Sequence, residues 1–343
     1  MQAAELIAPF EFRLTEMSIA DPAPGEIQVI VDSVGICGSD LHAWSEGSVG
    51  DSPNKYPMIL GHEPAGTVVK VGEGVTGIMP GDRGALEPAL YCYHCEYCQR
   101  GQFNICANIK FLSNPGHPGF FRQRVNLPAK NFLSVPASLT SDQATLIEPL
   151  AVAMHSLKFA ALQPEETVVV IGAGPIGLLT IAALKATKAS RIWAVEPVAH
   201  RRDMAVTIGA TVAVSPEEAR ATILHDTANR GVDCVIDCAA GEHTMNEAMH
   251  FSKNGGRLVL TGIHAGKYVP LEGSTMRRKE LSIFNVRRSN DEAHDALHLM
   301  LAHPGWFAPL VTHARPMDKV GEAFSIAGKY LDGVGKMIVR PQQ

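Results

Sequence analysis

Residues 167–177 read Thr167-Val168-Val169-Val170-Ile171-Gly172-Ala173-Gly174-Pro175-Ile176-Gly177. The run to Ile171 is continuous, apolar and β-branched, the pattern of a strand buried on both faces of a parallel sheet. Glycines follow at once. Gly172, Gly174 and Gly177 allow a tight turn, close approach of backbone to a pyrophosphate, and tight packing of a helix on the strand. Pro175 and Ile176 sit inside that turn, and an apolar helix runs on through Leu184. Its positive end suits a phosphate. The next strand, Arg191 to Val195, ends in Glu196. An acid about 20 residues beyond such a turn is placed to bond a ribose 2′-hydroxyl. The order strand, glycines, helix, strand, acid predicts a dinucleotide site at Gly172, Gly174, Pro175, Ile176, Gly177 and Glu196. Glu196 favours NAD, because a carboxylate repels a 2′-phosphate. Arg201, counted with the cofactor residues, and Arg202 follow closely enough to soften that preference.

Toward the C-terminus the strand pattern recurs at Thr211–Val214, Val232–Asp237, Arg257–Gly262 and Leu281–Val286. Six strands with intervening helices predict a doubly wound parallel sheet. Cys234 reads as core, and Cys238 has no assignment. From about residue 287 the chain turns polar and helical, then reaches Met337-Ile338-Val339, a tail expected to return to the first domain.

Toward the N-terminus the texture is different. Short strands, Phe120–Leu127 among them, and glycine turns predict a mostly-β region. The strand beginning Glu26-Ile27-Gln28-Val29 leads into Gly35-Ile36-Cys37-Gly38-Ser39-Asp40-Leu41-His42. That puts Cys37 at a strand end and His42 on a first helical turn. A second stretch, Gly61-His62-Glu63-Pro64-Ala65-Gly66, adds an imidazole and a carboxylate. Thiolate, imidazole and carboxylate are ligand types that Zn²⁺ accepts, and three of them leave a position open. Farther on, Cys92, Cys95, Cys98 and Cys106 are spaced C-x2-C-x2-C-x7-C. Four thiols in so short a loop can close one tetrahedral zinc with no open position, a structural role. Ser141 opens a helix with a Ser or Thr cap available. Pro149 predicts a break near Glu148 that could aim this carboxylate.

The 343 residues suggest two domains, with 46% hydrophobic and 19% charged residues, enough for a sizeable core. A net charge of −5 argues against general nucleic-acid binding. The N-terminus carries no secretory pattern, and no apolar run reaches membrane-spanning length. A soluble, cytoplasmic protein is the expectation.

Together, the 35–42 and 61–66 motifs, the four-cysteine lobe, Glu148-Pro149-Leu150-Ala151-Val152-Ala153 and the 172–177 turn resemble the zinc-containing medium-chain dehydrogenase/reductase family. Within it they are similar to the sorbitol (polyol) dehydrogenase branch. The resemblance covers essentially the whole chain. It implies a GroES-like, mostly-β catalytic domain, 1–150 with 287–343, and a Rossmann NAD-binding domain, 151–286. It implies two zinc ions per chain. Cys37 and His62 would be catalytic-zinc ligands. Glu63 and Glu148 are both carried over as ligand or water-mediated positions, unranked. Ser39 and His42 resemble a proton relay through the cofactor ribose, and Asp40 a supporting or structural residue. The implied reaction is reversible oxidation of a secondary alcohol to a ketone, with hydride transfer to NAD. L-threonine 3-dehydrogenase or another secondary-alcohol or diol dehydrogenase is the alternative. A catalytically silent zinc-binding structural member is the alternative of another class. Ala43-Trp44 and Asn285-Val286 depart from the sorbitol dehydrogenase pattern near the substrate pocket. A homo-oligomer, dimer or tetramer, joined partly through the sheet edge near Leu281–Val286, is also implied.

Overall fold

The computed structural model describes residues 1–343. The chain forms two compact units. One comprises Met1–Pro149, Ala293–Ala302 and Val311–Gln343; the other comprises Leu150–Glu292 and His303–Leu310.

In the first unit, the strand Glu26–Gly35 organises a seven-stranded sheet. Ile27, Val29 and Val31 are fully buried, as their alternation requires. On one side the strand pairs antiparallel with Glu63–Val71. On the other it pairs first with Arg124–Pro128 and then, at Val34 and Gly35, with the C-terminal strand Lys336–Arg340. The tail therefore does return to the N-terminal sheet. At Gly35 the two neighbours are Glu63 and Ile338. That register puts residues far apart in sequence beside one glycine. A second, three-stranded sheet joins Gln2–Ala8, Glu11–Glu16 and Met58–Ile59. The core between them holds Phe120, Phe121 and Phe324, each fully buried.

Two local expectations change. The ladder near residue 120 begins only at Arg124. Phe120 and Phe121 donate their backbone N–H groups to Gly61 and Leu60 carbonyls, at 2.9 and 3.0 Å, so this stretch is a loop that buries two rings. The helix near Glu148 breaks earlier than Pro149 suggests. A short helix, Ser141–Ala144, is capped by Thr140 with Gln143 reciprocating. A new helix, Ile147–Ala160, then begins. Pro149 lies in its first turn, where a missing N–H leaves no internal bond unmade.

In the second unit, six strands form one parallel sheet: first Thr167–Ile171, second Arg191–Val195, third Val212–Val214, fourth Val232–Asp237, fifth Ser252–Leu260 and sixth Ser282–Asn285. Their spatial order is third, second, first, fourth, fifth, sixth. Ile171 pairs with Val195 on one side and Asp237 on the other, and Asp237 leads on to Leu260 and Asn285. The carboxyl ends thus align along one edge, with the switch in strand order between first and fourth. Ligands of open α/β sheets bind at such an edge. The helix Pro175–Lys185 is buried along almost its whole length, from Gly177 to Leu184. A Cβ on Gly177 would collide with the Gly172 carbonyl oxygen, so only glycine lets this helix sit so close to the turn. No helix is long and apolar enough to cross a membrane.

Candidate metal and dinucleotide sites

The four cysteines of the 92–106 lobe converge. Their sulfurs all lie within 4.8 Å of one another. Cys92 and Cys98 are 4.0 Å apart, Cys95 and Cys106 3.9 Å, Cys92 and Cys106 3.5 Å. Four sulfurs about 2.3 Å from one zinc would be about 3.8 Å apart, so the donor set fits that ion without rearrangement. All four are free thiols, not disulfides. Backbone donation around His94 brings the Cys92 thiol down to about 5, and burial pushes Cys98 up to about 12. Backbone donation from Cys98 and Ala107 also lowers the Cys95 thiol, so the lobe already favours thiolate at two of its corners while burial opposes it at Cys98.

The second cluster is assembled from separate elements. Cys37 caps the helix Gly38–Glu46, whose third residue, Asp40, accepts from the Cys37 N–H at 3.1 Å. His62 and Glu63 come from the start of the neighbouring strand. Ligand atoms of Cys37, His62 and Glu63 lie within 4.8 Å of one another. Asp40 is buried and faces His62 Nδ1 at 3.2 Å, while also accepting from Gly61 N–H and the Ser113 hydroxyl, both at 3.2 Å. That contact turns the imidazole so that Nε2 is the nitrogen left for a metal. Burial alone would raise the Asp40 carboxyl, but His62 and the Cys37 and Gly61 N–H groups hold it below its ordinary value. Burial likewise works against a charged His62, yet Asp40 and Cys37 carry it well above the usual imidazole value. The pocket thus favours a positive charge between thiol and imidazole. A divalent metal meets that preference, and a Cys, His, carboxylate set with an open position suits zinc.

Glu63 has a partner that sequence reading did not single out. Lys336, from the C-terminal strand, is 1% exposed and ion-pairs with Glu63, itself 1% exposed; its Nζ also donates to the Ile36 carbonyl at 3.0 Å. A side chain at position 35 would strike both groups, which is why Gly35 stands between them. Only the lysine's place in a buried C-terminal strand could have signalled this role. Glu148 lies outside the three-residue cluster but within its field. Burial raises its carboxyl to about 8, with His62 and Lys336 opposing and Glu63 and Glu87 adding to the rise. Ser39 Oγ is 3.4 Å from His62 Nε2. His42 faces outward instead, with Nδ1 2.7 Å from Glu46. Ser39 and His42 are thus on one helix but do not touch directly.

In the second unit, Glu196 is buried at the end of the second strand. Its carboxylate accepts from Ala173 N–H at 2.6 Å and Val198 N–H at 2.9 Å, tying that strand end to the glycine turn. Arg201 is buried with its guanidinium near Gly174. Arg202 points elsewhere, donating to the Glu196 and Pro197 carbonyls at 2.8 and 2.7 Å. Cys234 is core, and burial pushes Cys238 up to about 12 beside Thr180, so both thiols are inert.

Residues 23–137 match the alcohol dehydrogenase GroES-like domain, and residues 175–302 match the zinc-binding dehydrogenase domain. The chain is 34% identical to sorbitol dehydrogenase of Bos taurus, over 94% of this chain and 92% of that one. It is 30% identical to sorbitol dehydrogenase of Bacillus subtilis, over 100% and 98%. The chain belongs to the zinc-binding alcohol dehydrogenase family. Among solved structures, a dehydrogenase of Escherichia coli CFT073 described as a short chain alcohol dehydrogenase, in complex with NADH, superposes with a TM-score of 0.88 at 28% identity, covering 99% of both chains. This alcohol dehydrogenase family member is therefore an oxidoreductase of the zinc- and NAD-dependent class, with secondary alcohols as substrates. Its two donor clusters are the two places in the first unit where its residues fit zinc.

Proposed function

We propose that this chain is a polyol dehydrogenase, oxidising one secondary hydroxyl of a sugar alcohol to a ketone. The observation that carries the reading is the cluster of half-buried Cys37 with buried His62 and Glu63, with its Lys336 counter-charge and Asp40 brace. The likeness to sorbitol dehydrogenases supports the substrate class. Cys37, His62 and Glu63 would hold the catalytic zinc, and Cys92, Cys95, Cys98 and Cys106 the structural one. The catalytic ion, when bound, supplies Lewis acidity that makes an alcohol hydroxyl acidic near neutral pH. Asp40 keeps the His62 ring oriented. Glu63, neutralised by Lys336, adds a carboxylate without adding net negative charge. Glu148 holds a water at the edge of the cluster, and its raised carboxyl lets it carry a proton there. Ser39 is the hydroxyl placed to take up the substrate proton as it gives up its own, and the solvent-reaching His42, which it does not touch directly, is the group placed to release a proton to water. Gly172, Gly174, Pro175, Ile176, Gly177 and Arg201 would hold the pyrophosphate of the dinucleotide, and Glu196 would meet its adenosine ribose. The enzyme acts on small molecules rather than nucleic acid or membrane, in the cytoplasm, as a dimer or tetramer.

The deciding experiment is an NAD-reduction screen over polyols, 2,3-diols, simple secondary alcohols and L-threonine, with zinc content on the same sample. Activity on sugar alcohols with about two zinc ions per chain is expected. Activity confined to L-threonine or to simple alcohols would overturn the polyol reading.

A further inference from the structure

We infer that the amino edge of the parallel sheet binds a small phosphate-bearing molecule, in a cavity of about 360 Å³ walled by Arg230, Lys253 and Lys279. Asn229, Ser252 and Asn254 add to its polar lining. The glycine turn and Glu196 follow the carboxyl ends of their strands, whereas this cavity lies where strands begin. Arg230 precedes the fourth strand, Lys253 is in the first turn of chain of the fifth, and Lys279 precedes the sixth. Those three strands are neighbours in the sheet, so the cations at their starts are neighbours too.

The backbone is shaped around this opening. Val232 pairs with Ser252, but Cys234 pairs with Arg257, so the fifth strand bulges between those two rungs and carries Lys253 and Asn254 out of the ladder. Gly231, at φ +81°, lets the turn after Arg230 lie against the same segment. A Cβ there would come within 2.6 Å of the Phe251 carbonyl oxygen.

Charge says what the cavity takes. Asp233 answers two of the cations, with Arg230 and Lys253 each 2.6 Å away. It also accepts from the Thr167 N–H and hydroxyl at 3.0 and 2.7 Å, so its oxygens are saturated. Lys279 donates to three neutral carbonyls, those of Met249, His250 and Ser252, at 2.8, 3.2 and 2.7 Å. Burial and the nearby Arg220 both press its ammonium below the ordinary lysine value. Two further acids of this edge, Glu166 and Asp226, are held by Arg257 and Arg191. The cavity is therefore left with surplus positive charge, which a phosphate monoester of about −1.5 to −2 offsets. Ligand can reach it from solvent, since Arg230 is 52% and Lys253 28% exposed. The volume exceeds what a bare phosphate fills, and the two asparagine amides suit hydroxyls on an attached body.

Titration calorimetry of the zinc-loaded enzyme, with and without saturating NADH, tests this using inorganic phosphate and glycerol 3-phosphate as probes. Saturable binding with Kd of about 1 mM is expected for the ester, and it should persist with NADH bound. Asn254→Asp keeps all three cations but adds a negative charge, and should weaken the ester about tenfold. Lys253→Gln should weaken it about fivefold. Both variants should leave NADH affinity and turnover unchanged. Binding that vanishes when NADH is added would place the phosphate at the glycine turn and overturn the inference. So would affinity unchanged in both variants, or no saturation by either probe below about 20 mM.

Discussion

The two donor clusters of the first unit are built in opposite ways. The cysteine lobe takes all four ligands from fifteen residues of chain, Cys92 to Cys106, and each ligand is of one kind. The Cys37, His62 and Glu63 cluster takes its ligands from a helix cap and a strand, braces them with Asp40, and balances them with Lys336 from the far end of the sequence. A closed shell of four thiolates has no room for substrate and gives its binding energy to folding. A mixed set of three, with its imidazole and carboxylate buried and charge-balanced and its thiol half-buried, keeps a position for chemistry. The lesson is that a metal site meant to stabilise can be local, while one meant to react is held by the whole sheet.

That contrast can be broken first at Cys37. Cys37→Ser should lower kcat by more than about a thousandfold, because the Lewis acid is lost. Zinc content should fall from two ions to one with thermal unfolding little changed. Two retained ions, measured by elemental analysis, would erase the distinction. The complementary change, Cys95→Ser, should cost several kcal/mol of stability with turnover per folded molecule preserved, since the ion there contributes to folding. Unfolding curves in denaturant, paired with active-site titration, check both halves. An unaltered midpoint would remove the structural role from the lobe.

Lys336 sharpens the comparison. Lys336→Met strands a buried Glu63 carboxylate, which should cost about 3–5 kcal/mol in zinc-free protein. Zinc should recover much of that loss, since it replaces the missing positive charge. Calorimetric unfolding with and without chelator tests this, and an equal loss in both states would mean that Lys336 acts by packing alone.

The smallest expected effect lies in the second unit, where a buried polar cluster works without a metal. Glu292 is fully buried, 2.9 Å from His155 and 2.7 Å from Lys158. Burial would raise its carboxyl, but these two partners and the Asn290 N–H bring it down to about 2 from an ordinary value of 4.5. The folded value is the lower one, so the unfolded chain takes up the proton first. The contribution is complete above the unfolded value and fades as pH drops from about 4.5 toward 2. Glu292→Gln should therefore remove about 2 kcal/mol at neutral pH and flatten the acid dependence in that window. It should leave zinc content untouched. Parallel pH profiles for wild type and variant would sink the reading.

How much of this was legible beforehand follows the same division between local and long-range. The six strands from Thr167 to Asn285 were readable because buried parallel strands are continuous apolar runs. The cysteine lobe was readable because its spacing is its geometry. The helix break was misplaced by a few residues, since Pro149 fits a first turn as comfortably as it breaks an interior one. Phe120 and Phe121 looked like strand because bulky apolar residues favour both a ladder and a buried loop, and only the hydrogen bonds to Gly61 and Leu60 separate the two.

Within the sites, Cys37, His62 and Glu63 were named from residue type and motif, and folding brought their ligand atoms within 4.8 Å. Glu148 was named with them, yet it stands outside that cluster and meets it through its field. Ser39 and His42 were named together, yet one turns to His62 and the other to Glu46.

What the amino-acid order determined by itself is every feature whose partners are close in the chain: the glycine turn, the cysteine shell, the helix caps and the alternation of Glu26–Gly35. What only the tertiary structure decided is every feature whose partners are distant. Lys336 meets Glu63 because sheet register places the Glu63–Val71 strand and the C-terminal strand on either side of Gly35. Arg230, Lys253 and Lys279 share one cavity because the fourth, fifth and sixth strands, near whose starts they stand, lie side by side in the sheet. Local spacing is written in covalent geometry, whereas the neighbours of a buried charge depend on the whole set of strand pairings that remove it from water.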